Sequence, residues 1–241
     1  MMRTLLVRGM TAGLVAGVLA TVFAYLAGEP PVTVAIGFEE STAHEHGPEL
    51  VSRSIQSTLG LFTGVAVYGI AIGGLLALTF AFAYGRVGTL RPRSTALLTT
   101  AAAFTVVVLV PFLKYPANPP AVGREGTIQD RTGLYFAFVA LSIVAGIAAT
   151  VLGRRLADRK GAWVGGISAC LGYLVVVAVC AWLLPIVDEV PGDFPADTLW
   201  TFRVSSLGTH LTLWTVFGLV FATLADRAFT RSAAPRAVPT G

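Results

Sequence analysis

The sequence of 241 residues carries too little charge for a soluble domain. Apolar residues make up 55% of the chain and charged residues 12%, and the mean hydropathy is +0.75, whereas a soluble domain has about 25% charged residues. This composition predicts an integral membrane protein. The net charge of +4 and the pI near 9.4 do not indicate a nucleic-acid partner, because the basic residues lie where membrane topology places them beside an anionic leaflet.

Six apolar runs are long enough to cross a lipid bilayer as helices. About 20 residues are needed to cross about 30 Å of hydrocarbon, and the strands of a β-barrel would be shorter and alternating. The runs cover residues 9–27, 58–84, 95–113, 132–152, 162–187 and 204–225. The sequence therefore predicts an all-α, polytopic membrane bundle of six transmembrane helices. We expect one domain over residues 1–230 and a disordered cytoplasmic tail over residues 231–241.

The distribution of charge predicts how these helices are oriented. If the N-terminus is cytoplasmic, the inner segments hold 12 of the 17 basic residues but only two of the 13 acidic ones, Asp158 and Asp226. The inner face then has a net charge of +10 and the outer face one of −6. The positive-inside rule therefore predicts three helical hairpins in the cytoplasmic membrane, with both termini in the cytoplasm.

The first apolar run has a face of small residues. Gly9, Gly13 and Gly17 are four residues apart, which allows another helix to approach closely. A secretory signal is the alternative, but the run exceeds the usual apolar region of about 7–15 residues and Tyr25 disfavours cleavage. We expect the helix to be retained, to turn at residues 28–31, and to lead into an outer loop.

This outer loop concentrates side chains that bind metals. They are His44, His46, Glu39, Glu40 and Glu45. Imidazole and carboxylate together suit divalent first-row cations, and in an extended segment His44 and His46 project to the same side. The hypothesis is a metal-entry site. The alternative is a solvated acidic connection with two incidental histidines, and residue types alone do not decide between them.

Three further residues are candidates for an ion path. His210 falls inside the last apolar run, and an ionisable residue within the membrane is a functional candidate as metal ligand or proton carrier. A neutral imidazole hydrogen-bonded to a neighbouring group is the alternative. Asp188 and Glu189, at the outer end of the fifth run, can attract cations or can simply be hydrated.

Three arginines lie at the outer ends of predicted helices. They are Arg53, Arg131 and Arg203. Left unpaired, they would repel a divalent cation, so we expect them to pair with carboxylates. The nearest carboxylates in sequence are Glu49, Asp130 and Asp197.

Several enzyme motifs are absent from the sequence. It contains no Gly-x-x-x-x-Gly-Lys-Ser/Thr loop, no Gly-x-Ser-x-Gly elbow, no Cys-x-x-Cys and no His-Glu-x-x-His, so no enzyme activity is predicted. Cys170 and Cys180 lie about 15 Å apart on one predicted helix and cannot form a disulfide. No permanently bound cofactor is expected.

Segments spread over nearly the whole chain form a recognisable pattern. They are Leu-Val-Arg-Gly-Met10 leading into Gly28-Glu29-Pro30, Ile36-Gly-Phe-Glu39, Leu50-Val-Ser-Arg53 to Gly60-Leu-Phe62, Pro111-Phe-Leu-Lys-Tyr-Pro-Ala-Asn-Pro-Pro120, and Asp188-Glu-Val-Pro-Gly-Asp-Phe-Pro195. The segment from Pro111 to Pro120 is the most specific. In these segments the sequence resembles the CbtA family of proposed cobalt transporter subunits.

The resemblance implies cobalt uptake for corrinoid synthesis, with Co²⁺ as the transported ion. It also implies a small single-helix partner, CbtB, with a histidine-rich tail, and so a metal-capture site shared between two polypeptides. Nickel or another divalent cation is an open alternative, because such ligands give no intrinsic preference for cobalt. The alternative class is a structural or interaction protein of the membrane whose acidic, histidine-containing outer loop binds a partner protein.

Overall fold

The computed structural model describes residues 2–42, 51–86, 89–124 and 126–233. These residues form helices and connecting loops without a strand, and six of the helices are long and apolar enough to cross a membrane. The helices are α1 (2–42), α2 (Arg53–Ala83), α3 (Pro92–Lys114), α4 (Ile128–Lys160), α5 (Ala162–Leu183) and α6 (Ala196–Ala233). The prediction of an all-α chain with six potential transmembrane helices is confirmed.

The turn predicted at residues 28–31 is wrong, because α1 continues through it. The helix consists of α-helical Met2–Phe23, π-helical Ala24–Gly28 and α-helical Glu29–Thr42. Pro30 and Pro31 lie in the first turn of the last stretch, where the fixed φ of proline fits a helical backbone. The π-helical turn at Ala24–Gly28 leads into the α-helical stretch Glu29–Thr42 without interrupting the helix.

The helices extend beyond the apolar runs. α4 has 33 residues and α6 has 38, and at 1.5 Å per residue both exceed the roughly 30 Å of hydrocarbon. Their ends therefore stand beyond the hydrocarbon. α6 ends at Ala233, and residues 234–241 of the predicted tail lie outside the described residues.

Close contacts group the chain into two compact units. The first comprises Met1–Tyr25, Val51–Ala102 and Thr209–Gly241, and the second comprises Leu26–Leu50 and Ala103–Gly208. The chain passes between the units within α1, within α3 and within α6.

The first unit is built on direct backbone contact between α1 and α2. A Cβ atom added to Gly13 would lie 2.8 Å from the carbonyl carbon of Gly69 and 3.2 Å from Cα of Gly73. A Cβ on Gly17 would lie 2.9 Å from Cα of Ala66. The glycine face predicted for the first helix is therefore confirmed, and α2 is the helix that packs on it.

Aromatic rings fill the other end of this unit. The Phe80 ring packs edge-on against Phe221 at a centroid distance of 5.4 Å, and Phe221 stacks on Phe217 at 5.3 Å. The Arg8 side chain donates a hydrogen bond through Nη1 to the carbonyl oxygen of Leu224. The first and last helices are therefore joined directly.

The second unit combines a helix pair with a small core formed by its loops. In the pair α4 and α5, a Cβ on Gly165 would lie 2.8 Å from Cα of Ala157. In the loops, Val122 and Phe194 pack around Ala35 of α1, and the Phe38 ring meets Phe194 edge-on at 5.1 Å. The C-terminal part of α1 is thus packed against the segments that precede α4 and α6.

Candidate functional site

The predicted metal-entry residues divide between the end of α1 and the residues after it. Glu39 and Glu40 are exposed near the C-terminal end of α1, so they lie on a helix and not in an extended loop as expected. His44, Glu45 and His46 lie outside the described residues. Within residues 2–42, 51–86, 89–124 and 126–233, no three His, Cys, Asp or Glu side chains are grouped closely enough to hold a metal ion.

His210 lies on α6 in the first unit and contacts another ring. It is partly buried, and its imidazole meets the Tyr68 ring edge-on at a centroid distance of 6.0 Å and an interplanar angle of 77°. The side chain is therefore directed at α2 and not wholly at lipid. An imidazole held against a phenol ring can still use a ring nitrogen as ligand or proton carrier.

Glu189 lies at the centre of a polar cluster in the second unit. Its Oε2 accepts hydrogen bonds from the backbone N–H of Arg124 and from Oγ1 of Thr127, both at 2.9 Å. Arg131 Nε lies 3.2 Å from the same oxygen, as an ion pair without hydrogen-bond alignment. We call these four residues the Glu189 network. The expectation that Arg131 pairs with a carboxylate is confirmed, but the partner is Glu189 and not the adjacent Asp130.

The electrostatics of this network favour the ionised carboxylate. The backbone N–H of Arg124 is the main reason that the pKa of Glu189 lies below its ordinary value of 4.5, and Thr127 and Arg131 act in the same direction. Partial burial, which leaves the side chain 10% exposed, opposes them. The charged form is favoured because two hydrogen-bond donors and the positive charge of Arg131 converge on one oxygen.

The proline-rich segment after α3 is tied to the segment after α5. Lys114 Nζ donates to the carbonyl oxygen of Leu184 at 3.1 Å, and Tyr115 Oη donates to that of Pro185 at 2.8 Å. Burial raises the pKa of Tyr115, so its hydroxyl remains a donor at neutral pH. The lysine and tyrosine therefore join the connection after α3 to the connection after α5.

Arg203 uses an amide as its hydrogen-bond partner. Its Nη2 donates to Oδ1 of Asn118 at 2.8 Å, and Asp188 is close enough to act on it electrostatically. The expected pairing with Asp197 is replaced by this contact. Nothing in the sequence marks Asn118 as the partner of Arg203 except its place within the Pro111 to Pro120 segment.

We expect the Glu189→Gln variant to be less stable than the parent at neutral pH. Glutamine retains the size of the side chain but loses the charge that attracts Arg131 and strengthens both hydrogen bonds. The pKa of Glu189 is lowered in the folded protein. Its contribution to stability is therefore complete when the pH lies above the ordinary pKa of a glutamate, and it is lost as the pH falls through the lowered pKa. The melting temperatures of parent and variant, measured in detergent from pH 7 to pH 3, should therefore converge at the acidic end.

Asp193→Asn is the matched control, since Asp193 is an exposed carboxylate in the same connection. This control should melt like the parent at every pH. A difference between parent and Glu189→Gln that is constant from pH 7 to pH 3 would contradict the assigned role of the carboxylate charge.

Comparison with known proteins identifies a family for nearly the whole chain. The family model described as CbtA, probable cobalt transporter subunit, matches residues 2–226. No curated protein and no solved structure gives a significant match. The match covers α1 to α5 and α6 as far as residue 226, and it assigns the chain to a class of transporter subunits, which is not a class of enzymes. The chain therefore belongs to the CbtA family of probable cobalt transporter subunits.

Proposed function

We propose that this chain is the transmembrane subunit of an uptake transporter for cobalt, or for a similar divalent cation such as nickel, that supplies corrinoid synthesis. The observation that carries the proposal is the family match over residues 2–226. Six helices long and apolar enough to cross a bilayer supply the membrane part of such a transporter.

The entry site in this proposal lies at the outer end of α1. Glu39 and Glu40 are exposed there, and His44, Glu45 and His46 follow directly in the sequence. A net outer charge of −6 raises the local concentration of cations. Neutral imidazoles beside carboxylates can take up a divalent ion near pH 7 with the release of few protons.

The proposed ion path uses His210 and the acidic pair Asp188 and Glu189. Asp188 is exposed and can receive an ion, whereas Oε2 of Glu189 already serves the Glu189 network. The membrane potential supplies about 2.3 kcal/mol per charge per 100 mV, so inward movement of a divalent cation is favoured by about 4.6 kcal/mol for each 100 mV. Transport through this subunit therefore needs no nucleotide hydrolysis.

The proposed membrane and orientation of the transporter follow from the charge distribution. We place the chain in the cytoplasmic membrane as three helical hairpins with both termini in the cytoplasm, because the positive residues concentrate on that side. The family describes a subunit, and we propose that the other subunit is a small single-helix CbtB-like protein whose histidine-rich tail contributes metal ligands.

Cell-associated cobalt and nickel, measured by mass spectrometry at limiting external metal, test this proposal. Cells carrying the chain together with the small partner should accumulate several-fold more cobalt than cells carrying the partner alone. Accumulation equal to that of the partner alone, with both polypeptides shown to be in the membrane, would refute the transport function.

A further inference from the structure

One carbonyl group in the π turn of α3 loses its backbone donor. In the π-helical stretch Thr105–Leu109 the N–H of Val110 bonds to the carbonyl of Thr105, five residues earlier. In the same pattern the carbonyl of Val106 would pair with residue 111, which is a proline without an N–H. In a regular α-helix the same proline would instead leave the carbonyl of Val107 without a donor.

Ser142 of α4 supplies the missing donor. Its Oγ lies 2.7 Å from the carbonyl oxygen of Val106, and its side chain is 0% exposed. The hydroxyl of Tyr173 on α5 lies 2.8 Å from the same Oγ. Since a carbonyl only accepts and Ser142 has one proton, Ser142 donates to Val106 and Tyr173 donates to Ser142. Three helices therefore meet at one oriented chain of hydrogen bonds.

A second serine in the same unit also bonds to a helix carbonyl that precedes a proline, here with α-helical spacing. In α1 the carbonyl of Ala27 would pair with residue 31 in an α-helix, and that residue is also a proline. Ser205 Oγ of α6 donates to the carbonyl of Ala27 at 2.7 Å and is only 6% exposed. In both helices a buried serine bonds to a carbonyl close to a π turn and a proline, with π spacing in α3 and α spacing in α1.

We propose that Ser142 is a positioning residue that selects the π register of α3, in which an N–H group bonds to the carbonyl five residues earlier and not four. Proline at position 111 leaves one carbonyl without a backbone donor in either register, that of Val106 in the π register and that of Val107 in the α register. The hydroxyl of Ser142 bonds to the carbonyl of Val106. When this bond is lost, each register leaves one carbonyl without a donor, so the preference for the π register falls. A change to the α register turns the part of α3 before the π turn relative to the part after it by about 100°, the angle of one residue in an α-helix.

Hydrogen–deuterium exchange of the amides in residues 103–114 tests this role on the purified full chain in micelles, without any metal. Ser142→Ala should exchange about tenfold faster there than the parent. Ser168→Ala, which removes an exposed hydroxyl on α5, should exchange at the parental rate. Tyr173→Phe should also stay near the parental rate, because Ser142 still donates to Val106.

A double-mutant cycle with Pro111→Ala separates register selection from general packing. Alanine at position 111 restores the N–H, so Ser142→Ala should change exchange in that background by less than about threefold. The same tenfold increase in both backgrounds would refute the proposal, as would an effect of Tyr173→Phe equal to that of Ser142→Ala. Parental exchange in Ser142→Ala would refute it as well.

Discussion

Replacing Gly13 by leucine is expected to abolish the folded state. The α1 and α2 backbones touch at Gly13 and Gly69, so even a Cβ atom at Gly13 meets the Gly69 backbone at 2.8 Å. A backbone cannot move aside as a flexible side chain can, so the two helices must separate and lose the contacts on both sides of this point. Overpacking usually costs about 1–3 kcal/mol, and a leucine against backbone should exceed that range, out of a total stability of about 5–15 kcal/mol.

The control for this substitution is Gly64→Leu, on the exposed face of α2. No atom lies within 4 Å of a Cβ atom added to Gly64, so the same change there meets open space. Size-exclusion chromatography of detergent extracts should recover a monodisperse Gly64→Leu protein and little or no Gly13→Leu protein. Equal recovery and equal melting temperatures for the two variants would show that the close approach of α1 and α2 is not needed for folding.

The double variant His44→Ala, His46→Ala is expected to lose most cobalt uptake at limiting metal. This follows from the proposed entry site, in which the two imidazoles provide the ligands that favour a first-row cation over Mg²⁺ or Ca²⁺. Outer-shell changes alone alter metal affinity by about 10–100-fold, so loss of two ligands should raise the cobalt concentration for half-maximal uptake by at least about tenfold. Maximal uptake should stay close to the parental level, because the path through the membrane is unchanged.

The matched control is Ser41→Ala, Thr42→Ala, which alters the same part of the chain without removing an imidazole. Its uptake curve should superimpose on that of the parent, with equal amounts of each protein in the membrane. A parental half-maximal concentration in the histidine variant would end the entry-site proposal while leaving the family assignment intact. A loss of maximal uptake alone would place these histidines in translocation and not in capture.

Hydropathy predicted the existence of the six helices but not their ends. A run of apolar residues marks the part of a helix that crosses hydrocarbon, whereas the helix ends where its backbone donors and acceptors find other partners. α1 shows the difference, because its polar stretch after Gly28 continues as helix to Thr42. Pro30 and Pro31 indicate a turn when read alone, yet they are equally compatible with the first turn after a π segment.

The partners of the polar side chains could not be predicted from the sequence. Arg131 has Asp130 beside it in the sequence but pairs with Glu189 from another loop, because adjacent residues on a helix point in different directions. The sequence offers no reason to single out Ser142, which is one hydroxyl within an apolar run. Its role depends on Pro111, and only the fold brings Ser142 to the carbonyl that this proline leaves without a donor.

The bond from Arg8 to the carbonyl of Leu224 has a consequence for the order of assembly during synthesis. The two residues are 216 positions apart, whereas α1 and α2 are neighbours in the chain and can associate as soon as both have entered the membrane. Membrane proteins are synthesised from the N-terminus, and each early segment waits for partners that are made later. The first unit thus remains open along α1 until the ribosome has completed α6. Until then, the part of α1 that belongs to the first unit depends on its glycine contact with α2, which makes that contact the earliest point at which this unit can misassemble.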